Sequence, residues 1–150
     1  MKVIFLDIDG VLNSATGTGP YVSDMEVSKL EVLNGILKVI HFDGVVITSD
    51  RRYSDVDMFN KLDAFDQYEI KVMGQIRKPD KLDFNDNRGQ QILDFLADSD
   101  EEVESIIILD DNDDGISNIF NEDFIQVNRF YGLNDDISRK IINRVFDKDL

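Results

Sequence analysis

Residues 3–10 read VIFLDIDG, and the interpretation of the whole chain starts from this stretch. Its first four residues are a continuous apolar run, which is typical of a strand buried on both faces of a parallel sheet. The run ends in Asp7 and Asp9, followed by Gly10. Aspartate and glycine are also common turn residues, so a plain strand-to-turn junction is the alternative. Carboxylates this close repel each other and need a cation or hydrogen-bond donors, so the pair is costly to keep without a use.

Length and composition bound the class of protein. The chain has 150 residues, which predicts one domain, residues 1–150, that buries about 70% of its unfolded surface. It contains no cysteine, so disulfides, zinc–thiolate sites and thiol catalysis are excluded. No apolar run approaches the roughly 18 residues that a membrane span needs, so we expect a cytoplasmic protein without a membrane partner.

The formal net charge is −15. Such a surface repels phosphate backbones and anionic membranes within a Debye length of about 10 Å. The charge therefore argues against general nucleic-acid binding and against binding to a lipid surface. Most of the carboxylates are expected to be solvated at the surface, although the acidity also suggests that a cation is bound somewhere.

Two further apolar runs also end in polar residues. They are residues 45–47, which read VVI, and residues 105–109, which read SIIIL and form the clearest buried strand of the chain. The polar residues that follow are Thr48 and Ser49 in the first case, and Asp110 and Asp111 in the second. Three apolar strands with polar ends disfavour the interpretation of residues 7–10 as a turn alone.

Helical periodicity occupies the segments between these runs. The predicted helices cover residues 25–40, 54–65, 88–97 and a last segment capped by Asn134, and further strands are predicted within 68–76 and at 124–127. Ser23 or Asp24 would cap the first helix, and His41, just past its end, is interpreted as a cap or surface residue. The alternation predicts an α/β, three-layer, Rossmann-like fold with a central, mainly parallel sheet and helices on both faces. Ligands bind such sheets at the carboxyl ends of the strands.

The residues at these strand ends point to a particular chemistry. Four carboxylates gathered at one edge would repel one another unless a cation lay among them. Oxygen ligands without Cys or His favour a hard ion, Mg²⁺ before Ca²⁺. One aspartate can attack phosphorus and form an aspartyl-phosphate, and a second can protonate the leaving oxygen and then activate water. A hydroxyl and a basic residue would hold the phosphoryl oxygens.

The chain resembles the haloacid dehalogenase (HAD) superfamily of phosphohydrolases, in particular small, capless members of the phage and bacterial type. The resemblance lies in an apolar strand followed by Asp7-x-Asp9-Gly10 and in a later strand followed by Asp110-Asp111. It implies that Asp7 is the nucleophile and that Asp9 is the general acid and base. It also implies that Asp7, the backbone carbonyl of Asp9, and at least one of Asp110 and Asp111 bind Mg²⁺, with Gly10 beside the substrate.

The second and third motifs of the superfamily are matched less uniquely. The second is a hydroxyl at a strand end, for which the resemblance favours Ser49 and leaves Thr48 as the alternative. The third is a basic residue near the start of a helix; Arg88 has this context, and Lys78 and Lys81 compete with it. The resemblance implies that Ser49 and Arg88 assist catalysis and that both, with Thr48, contact the substrate phosphate.

Spacing and the end of the chain bear on the substrate. Residues 13–44 and 53–87 are too short to hold a large cap domain, and an open site suits a bulky phosphomonoester such as a nucleic-acid end. The site would also suit a small substrate if another subunit or the loop at residues 13–24 covered it. The segment at Gly132-Leu133 resembles the ending of HAD domains linked to nucleic-acid repair. We therefore expect a phosphorylated substrate whose identity the sequence leaves open.

Rival interpretations start from the same acidic residues. Asp110-x-Asn112-x-Asp114-Gly115 matches the first half of an EF-hand calcium loop, but its twelfth position is Asn121, where a bidentate glutamate is needed. A phospho-receiver domain also uses Mg²⁺ and a phosphorylated aspartate, but its adjacent acid pair follows the first strand. The alternative function is thus a non-catalytic HAD fold, or a receiver-like, Mg²⁺-binding signalling or interaction module.

Overall fold

The computed structural model describes residues 1–14, 25–49, 55–77 and 87–148. Strands and helices alternate along these ranges. The strands are β1 (Lys2–Asp7), β2 (Gly44–Ser49), β3 (Val72–Arg77), β4 (Ser105–Asp110) and β5 (Phe124–Gln126). The helices are α1 (Val27–Ile40), α2 (Asp55–Gln67), α3 (Arg88–Asp98), α4 (Ile116–Phe120) and α5 (Asp135–Lys148).

The strands form one parallel sheet with the order β3-β2-β1-β4-β5. Buried residues of α1, α2 and α5 pack on one face of the sheet, and buried residues of α3 and α4 pack on the other. The chain therefore moves outward from β1 to β3, returns across the sheet through α3, and continues outward through β4 and β5. This arrangement confirms the predicted α/β, Rossmann-like fold with helices on both faces.

The central strand β1 is buried on both faces, as its continuous apolar run predicted. Ile4 and Leu6 face the core formed with α1 and α5, and Val3 and Phe5 face the core under α3 and α4. The ring of Phe5 contacts that of Phe95 edge to face, with centroids 5.8 Å apart. Successive side chains of a strand point to opposite faces, so an uninterrupted apolar run fits only a strand covered on both sides.

The beginning and end of α1 refine the predicted boundaries. The helix begins at Val27, with Glu26 at the N-cap position and no side-chain cap bond, and the proposed caps Ser23 and Asp24 lie outside the described residues. His41 ends the helix in the left-handed region, with φ 55°, and donates its N–H to the carbonyl oxygen of Leu37 at 3.1 Å. The interpretation of His41 as a cap is confirmed.

One predicted boundary was wrong, and one short helix was not predicted. The strand predicted within residues 68–76 begins only at Val72, because Glu69 adopts a left-handed turn conformation with φ 57°. The segment between β4 and β5 contains the short helix α4, which the polar sequence did not predict. Asp113 stabilises the start of that helix by accepting the backbone N–H of Ser117 at 2.8 Å. This side-chain contact supports a helix that hydrophobic periodicity does not reveal.

The described residues hold no separate cap domain. Between β1 and β2 the described part forms only α1, and between β2 and β3 it forms only α2. Within the same ranges, the helices are all too short or too polar to cross a bilayer. Since ligands bind parallel sheets at the carboxyl ends of the strands, the functional residues are expected at that edge.

Candidate active site

The site lies where the strand order reverses, at the carboxyl ends of β1, β2 and β4. Asp7 pairs in register with Thr48, and Leu6 pairs with Leu109, so Asp110 follows at the level of Asp7. Crevices at such a switch point are the usual ligand sites of open parallel sheets. The register thus brings together three of the strand ends that the sequence singled out.

Asp7, Asp110 and Asp111 form a cluster of carboxylates, here called the acid cluster. Each contributes a carboxylate oxygen, and these oxygens lie within 4.8 Å of one another. Asp110 is buried, and the other two are half-buried. Three converging carboxylate oxygens suit a hard divalent ion such as Mg²⁺, and their mutual repulsion calls for one.

The electrostatics of Asp110 fit the presence of a cation. Burial raises the pKa of Asp110 to about 7, and the neighbouring Asp111 adds to this rise. The positive charge of Arg88 and the backbone N–H of Asn112, 3.0 Å from Asp110 Oδ1, act in the opposite direction. Because a bound metal ion favours the ionised form of its ligands, the residues present are compatible with a divalent ion.

Gly10 permits Asp111 to lie across the turn after β1. Gly10 has φ +79°, and a Cβ atom at this position would come within 2.7 Å of Asp111 Cγ. Its N–H donates to the side-chain oxygen of Asn13 at 2.9 Å. The glycine of the Asp-x-Asp-Gly motif is therefore required by its backbone conformation and by the close approach of Asp111.

Asp9 lies beside the acid cluster without being part of it. The Asp9 side chain is buried, and its Oδ1 atom accepts the side-chain N–H of Asn13 at 2.9 Å. Asn13 is itself 1% exposed, so it holds both Asp9 and the Gly10 amide from a fixed position. The HAD resemblance assigns the backbone carbonyl of Asp9, rather than its side chain, to the metal. The sequence placed Asn13 only at the start of a loop and missed this role.

Arg88 is buried at the first position of α3. Asn87 caps this helix by accepting the N–H of Gln90 at 2.9 Å, and the Asp114 carboxylate accepts the N–H of Arg88 at 3.1 Å. The positive charge of Arg88 lowers the pKa of Asp110, as expected of a cation near the acid cluster. Its competitors Lys78 and Lys81 lie outside the described residues.

A contact between two glycines fixes the start of α3 against the loop after β4. A Cβ atom on Gly89 would lie 2.8 Å from the carbonyl carbon of Gly115, and one on Gly115 would lie 2.7 Å from Asn87 Oδ1. The N–H of Gly89 also donates to the carbonyl of Asp114 at 3.3 Å. The loop that carries the aspartate pair therefore also positions Arg88.

Of the two hydroxyl candidates, Thr48 has a described side chain. Thr48 is 1% exposed. It lies two residues after Val46 in β2, so the alternation of side chains places it on the same sheet face as Val46, which α3 covers. The same rule places Asp7, two residues after Phe5, on that face. Ser49 ends β2, and its side chain lies outside the described part, so its predicted preference over Thr48 stays a prediction.

Arg129 joins the site from the segment after β5. Its Nε atom lies 3.6 Å from Asp111 Oδ2, and the side chain of Gln126 donates to the Asp111 carbonyl at 3.2 Å. No motif in the sequence singled out either residue. Alternation along β5 and proximity to a strand end were the signals that could have drawn attention to them.

The calcium-loop alternative does not fit the geometry. Asp110 ends a strand rather than a helix, and the Asp114 carboxylate accepts the N–H of Arg88. The Asp113 carboxylate accepts the backbone and hydroxyl donors of Ser117, which lower the pKa of Asp113. Asp114, which an EF-hand would require as a ligand, is thus engaged at the start of α3, and Asp113, at a position that an EF-hand does not use, holds α4.

The parallel sheet, the Asp-x-Asp-Gly turn after β1 and the aspartate pair after β4 define a protein of the HAD superfamily. More narrowly, residues 3–137 match the family described as "HAD domain in Swiss Army Knife RNA repair proteins", and the chain belongs to that family. A search of curated proteins found no match. The resemblance stated from the sequence is therefore confirmed at the level of the superfamily.

Proposed function

We propose that the protein is a Mg²⁺-dependent phosphomonoester hydrolase that acts through an aspartyl-phosphate at Asp7. The observation that carries this proposal is the convergence of the three carboxylates of the acid cluster, with Arg88 buried beside them. Membership of a HAD family supports the reaction class, because phosphate hydrolysis is the usual activity of such domains. The same fold without turnover is the alternative that the experiment below must exclude.

The metal ligands would be the side chains of Asp7, Asp110 and Asp111, with the backbone carbonyl of Asp9. When bound, Mg²⁺ would supply positive charge against the carboxylates and the phosphoryl oxygens of the substrate. Arg88 would add a second positive charge. Thr48 or Ser49 would donate a hydroxyl hydrogen bond to a phosphoryl oxygen, and Gly10 would lie beside the substrate, as the resemblance implies.

The reaction would proceed in two steps. A carboxylate oxygen of Asp7 attacks phosphorus while the bond from phosphorus to the leaving oxygen breaks, and Asp9 gives its proton to that oxygen. Asp9, now ionised, takes a proton from water, whose oxygen attacks the phosphorus of the aspartyl-phosphate. The bond between phosphorus and Asp7 breaks, inorganic phosphate leaves, and both aspartates return to their starting states. The hydrogen bond from Asn13 would hold Asp9 in place throughout.

The substrate would be a phosphorylated nucleic-acid end or a related phosphomonoester. The name of the family refers to RNA repair proteins, and the described residues form no cap domain over the sheet edge. An edge that the described residues leave open would admit a phosphate at the end of a longer molecule. The net charge of −15 disfavours extended contacts with a phosphate backbone, so the proposal is limited to recognition of the end itself.

The direct test is hydrolysis of p-nitrophenyl phosphate and of 3′- and 5′-phosphorylated oligonucleotides, with Mg²⁺ or with EDTA. We expect Mg²⁺-dependent release of phosphate, and a loss of about 10³-fold or more in kcat for Asp7→Asn, because the nucleophile is removed. Glu104→Gln is the control, because it makes the same change of charge away from the acid cluster. The Glu104 side chain is 64% exposed and lies 3.6 Å from the amino group of Met1, so the substitution should leave the rate unchanged.

Two results would contradict the proposal. Activity that survives in Asp7→Asn would remove Asp7 as the nucleophile. A wild-type protein that binds Mg²⁺ but releases no phosphate from any of these substrates would favour the non-catalytic alternative.

A further inference from the structure

Residues 128–133, here called the aromatic loop, follow β5 and leave the sheet at its carboxyl edge. Phe130 and Tyr131 in this loop are 55% and 64% exposed. They are the only consecutive aromatic residues in the sequence. Two large rings side by side at the surface are costly to expose, which makes this pair a candidate binding surface.

The aromatic loop has a well-defined backbone. The side-chain oxygen of Asn128 accepts the N–H of Phe130 at 2.9 Å, and its carbonyl oxygen accepts the N–H of Tyr131 at 3.0 Å. At the other end, buried Leu133 donates its N–H to the Val11 carbonyl at 2.7 Å. Because the backbone is held at both ends, little ordering is needed when a ligand contacts the rings.

The aromatic loop is continuous with the acid cluster. Arg129 Nε lies 3.6 Å from Asp111 Oδ2, which joins the two directly. A depression of about 430 Å³ also runs between them, lined by Asp111, Gln126, Val127, Asn128, Arg129 and Phe130. A molecule whose phosphate is at the acid cluster would have room for its leaving group along this depression, which reaches Phe130. Tyr131 is the next residue of the aromatic loop and lies outside the residues that line the depression.

The charge of the protein decides what kind of group fits there. Recognition of a sugar–phosphate backbone uses clusters of Lys and Arg, whereas this chain has a net charge of −15. Aromatic rings instead bind the flat faces of nucleobases by stacking, which requires no basic surface. A protein partner on the same surface would cover the depression beside Asp111 and block access to it. The position thus favours a substrate group over a docked protein.

We propose that Phe130 and Tyr131 stack against the nucleobase of the nucleotide whose phosphate is removed. This inference rests on the proposed function, since it names the leaving group of the phosphoryl transfer at Asp7. Arg129, which contacts Asp111 and lines the same depression as Phe130, would face the sugar and the phosphate of the same nucleotide. The protein would accordingly recognise one base at the phosphorylated position rather than a length of strand.

The test compares substrates that differ only in the base. Wild-type protein should show a higher kcat/KM for adenosine 5′-monophosphate than for ribose 5-phosphate. If the enzyme prefers 3′-phosphates, the same comparison is made between adenosine 3′-monophosphate and ribose 3-phosphate. Phe130→Ala and Tyr131→Ala should reduce this preference by about 5- to 150-fold, the range of one lost stacking contact. Phe130→Tyr and Tyr131→Phe keep the rings and should retain it. Phe146→Ala is the matched control, since Phe146 is 51% exposed on α5, next to Val145, which lines a separate depression.

A dinucleotide with the same terminal phosphate tests whether the protein recognises one nucleotide or a longer nucleic-acid end. A kcat/KM close to that of the mononucleotide supports recognition of the single base. A requirement for the second nucleotide overturns the proposal, and so do alanine variants that lower the rates for ribose phosphate and nucleotide equally.

A binding measurement distinguishes failure of this inference from failure of the proposed function. If wild-type protein hydrolyses none of these phosphates, the proposed function fails, but the stacking surface can still be measured. Calorimetry on the Asp7→Asn protein with Mg²⁺ should give a lower Kd for adenosine monophosphate than for ribose phosphate, and Tyr131→Ala in that background should remove the difference. Equal Kd values for the two ligands would overturn the stacking proposal.

Discussion

At the scale of single residues, Asp110 combines a structural cost with a proposed function. A buried carboxyl resists ionisation, and burial raises the pKa of Asp110 to about 7 although the charge of Arg88 opposes the rise. In the folded protein without metal, the ionised form of Asp110 is therefore disfavoured, although a divalent ion would bind that form. Such a conflict between stability and site chemistry is typical of functional positions.

The pH dependence of stability tests this conflict. In the folded protein the pKa of Asp110 is raised from 3.8 to about 7, so between these values the folded state keeps a proton that the unfolded state has released. Stability without metal should therefore fall as pH rises through this window. Asp110→Asn should remove that component, visible as a smaller fall in Tm between pH 5 and pH 7 in EDTA. A wild-type protein whose Tm changes with pH as the variant's does would contradict the assignment.

The residues of the site could be predicted from sequence to the extent that backbone pattern determines them. Asp7, Asp110 and Asp111 each follow an apolar strand, and parallel strands bring their carboxyl ends to one edge. The role of Asn13 could not be predicted, because it depends on how the turn after β1 folds. That fold brings the Gly10 N–H and the Asp9 carboxylate within hydrogen-bond distance of the Asn13 side chain. Arg129 was missed for the same reason, since its contact with Asp111 crosses from one loop to another.

At the scale of elements, the contact between the start of α3 and the loop before α4 joins two parts of the site. Asp114 accepts the N–H of Arg88, and the carbonyl of Gly115 lies against Gly89. Arg88 and the aspartate pair thus depend on the same packed contact. Any change that separates α3 from the loop should alter both Arg88 and the acid cluster.

Gly89→Ala tests this dependence. A methyl group there would meet the backbone of Gly115, so we expect a loss of about 1–3 kcal/mol in the free energy of unfolding and a lower kcat/KM. The control is Gly35→Ala in α1, where nothing lies within 4 Å of an added Cβ. Replacing that helical glycine should stabilise the protein by up to about 1 kcal/mol and leave the rate unchanged. Equal effects of the two substitutions, measured by urea unfolding and phosphate release, would argue against the contact.

The sequence predicted long or strongly apolar elements well and short ones poorly. The predicted runs at β1, β2 and β4 lie within two residues of the observed strands, because buried parallel strands have an unmistakable composition. The helix α4 has five residues and one buried side chain, Ile116, so no periodicity could reveal it. The late start of β3 depends on the left-handed turn at Glu69, a conformation that its side chain does not favour.

At the scale of the whole molecule, the negative charge should set how the rate responds to salt. Repulsion between a protein of charge −15 and a polyanion slows association, and salt screens that repulsion. We expect kcat/KM for a phosphorylated 10-nucleotide strand to rise several-fold between about 20 and 200 mM NaCl, and kcat/KM for ribose 5-phosphate to rise less. A fall with salt for the long substrate would show that contacts with its backbone dominate.

The overall topology illustrates what local pattern can and cannot predict. Alternation of strands and helices was enough to predict a parallel sheet covered on both faces. It could not predict the strand order, because the pairing of β1 with β4 depends on contacts between distant parts of the chain. That pairing determines where Asp7 meets Asp110, so the position of the site could be predicted only as an edge of the sheet.

The central position of β1 has a consequence for synthesis on the ribosome. One edge of β1 pairs with β2, which lies about 40 residues further along the chain. The other edge pairs with β4, which lies about 100 residues further along. At about 5–20 residues per second, β4 is made some 5–20 s after β1. Until then, the apolar strand that bears Asp7 has one edge without its native neighbour, and the three carboxylates have not yet met. The nascent chain is therefore prone to mispairing in this interval, and a divalent ion at the acid cluster would stabilise it only once Asp110 and Asp111 have been made.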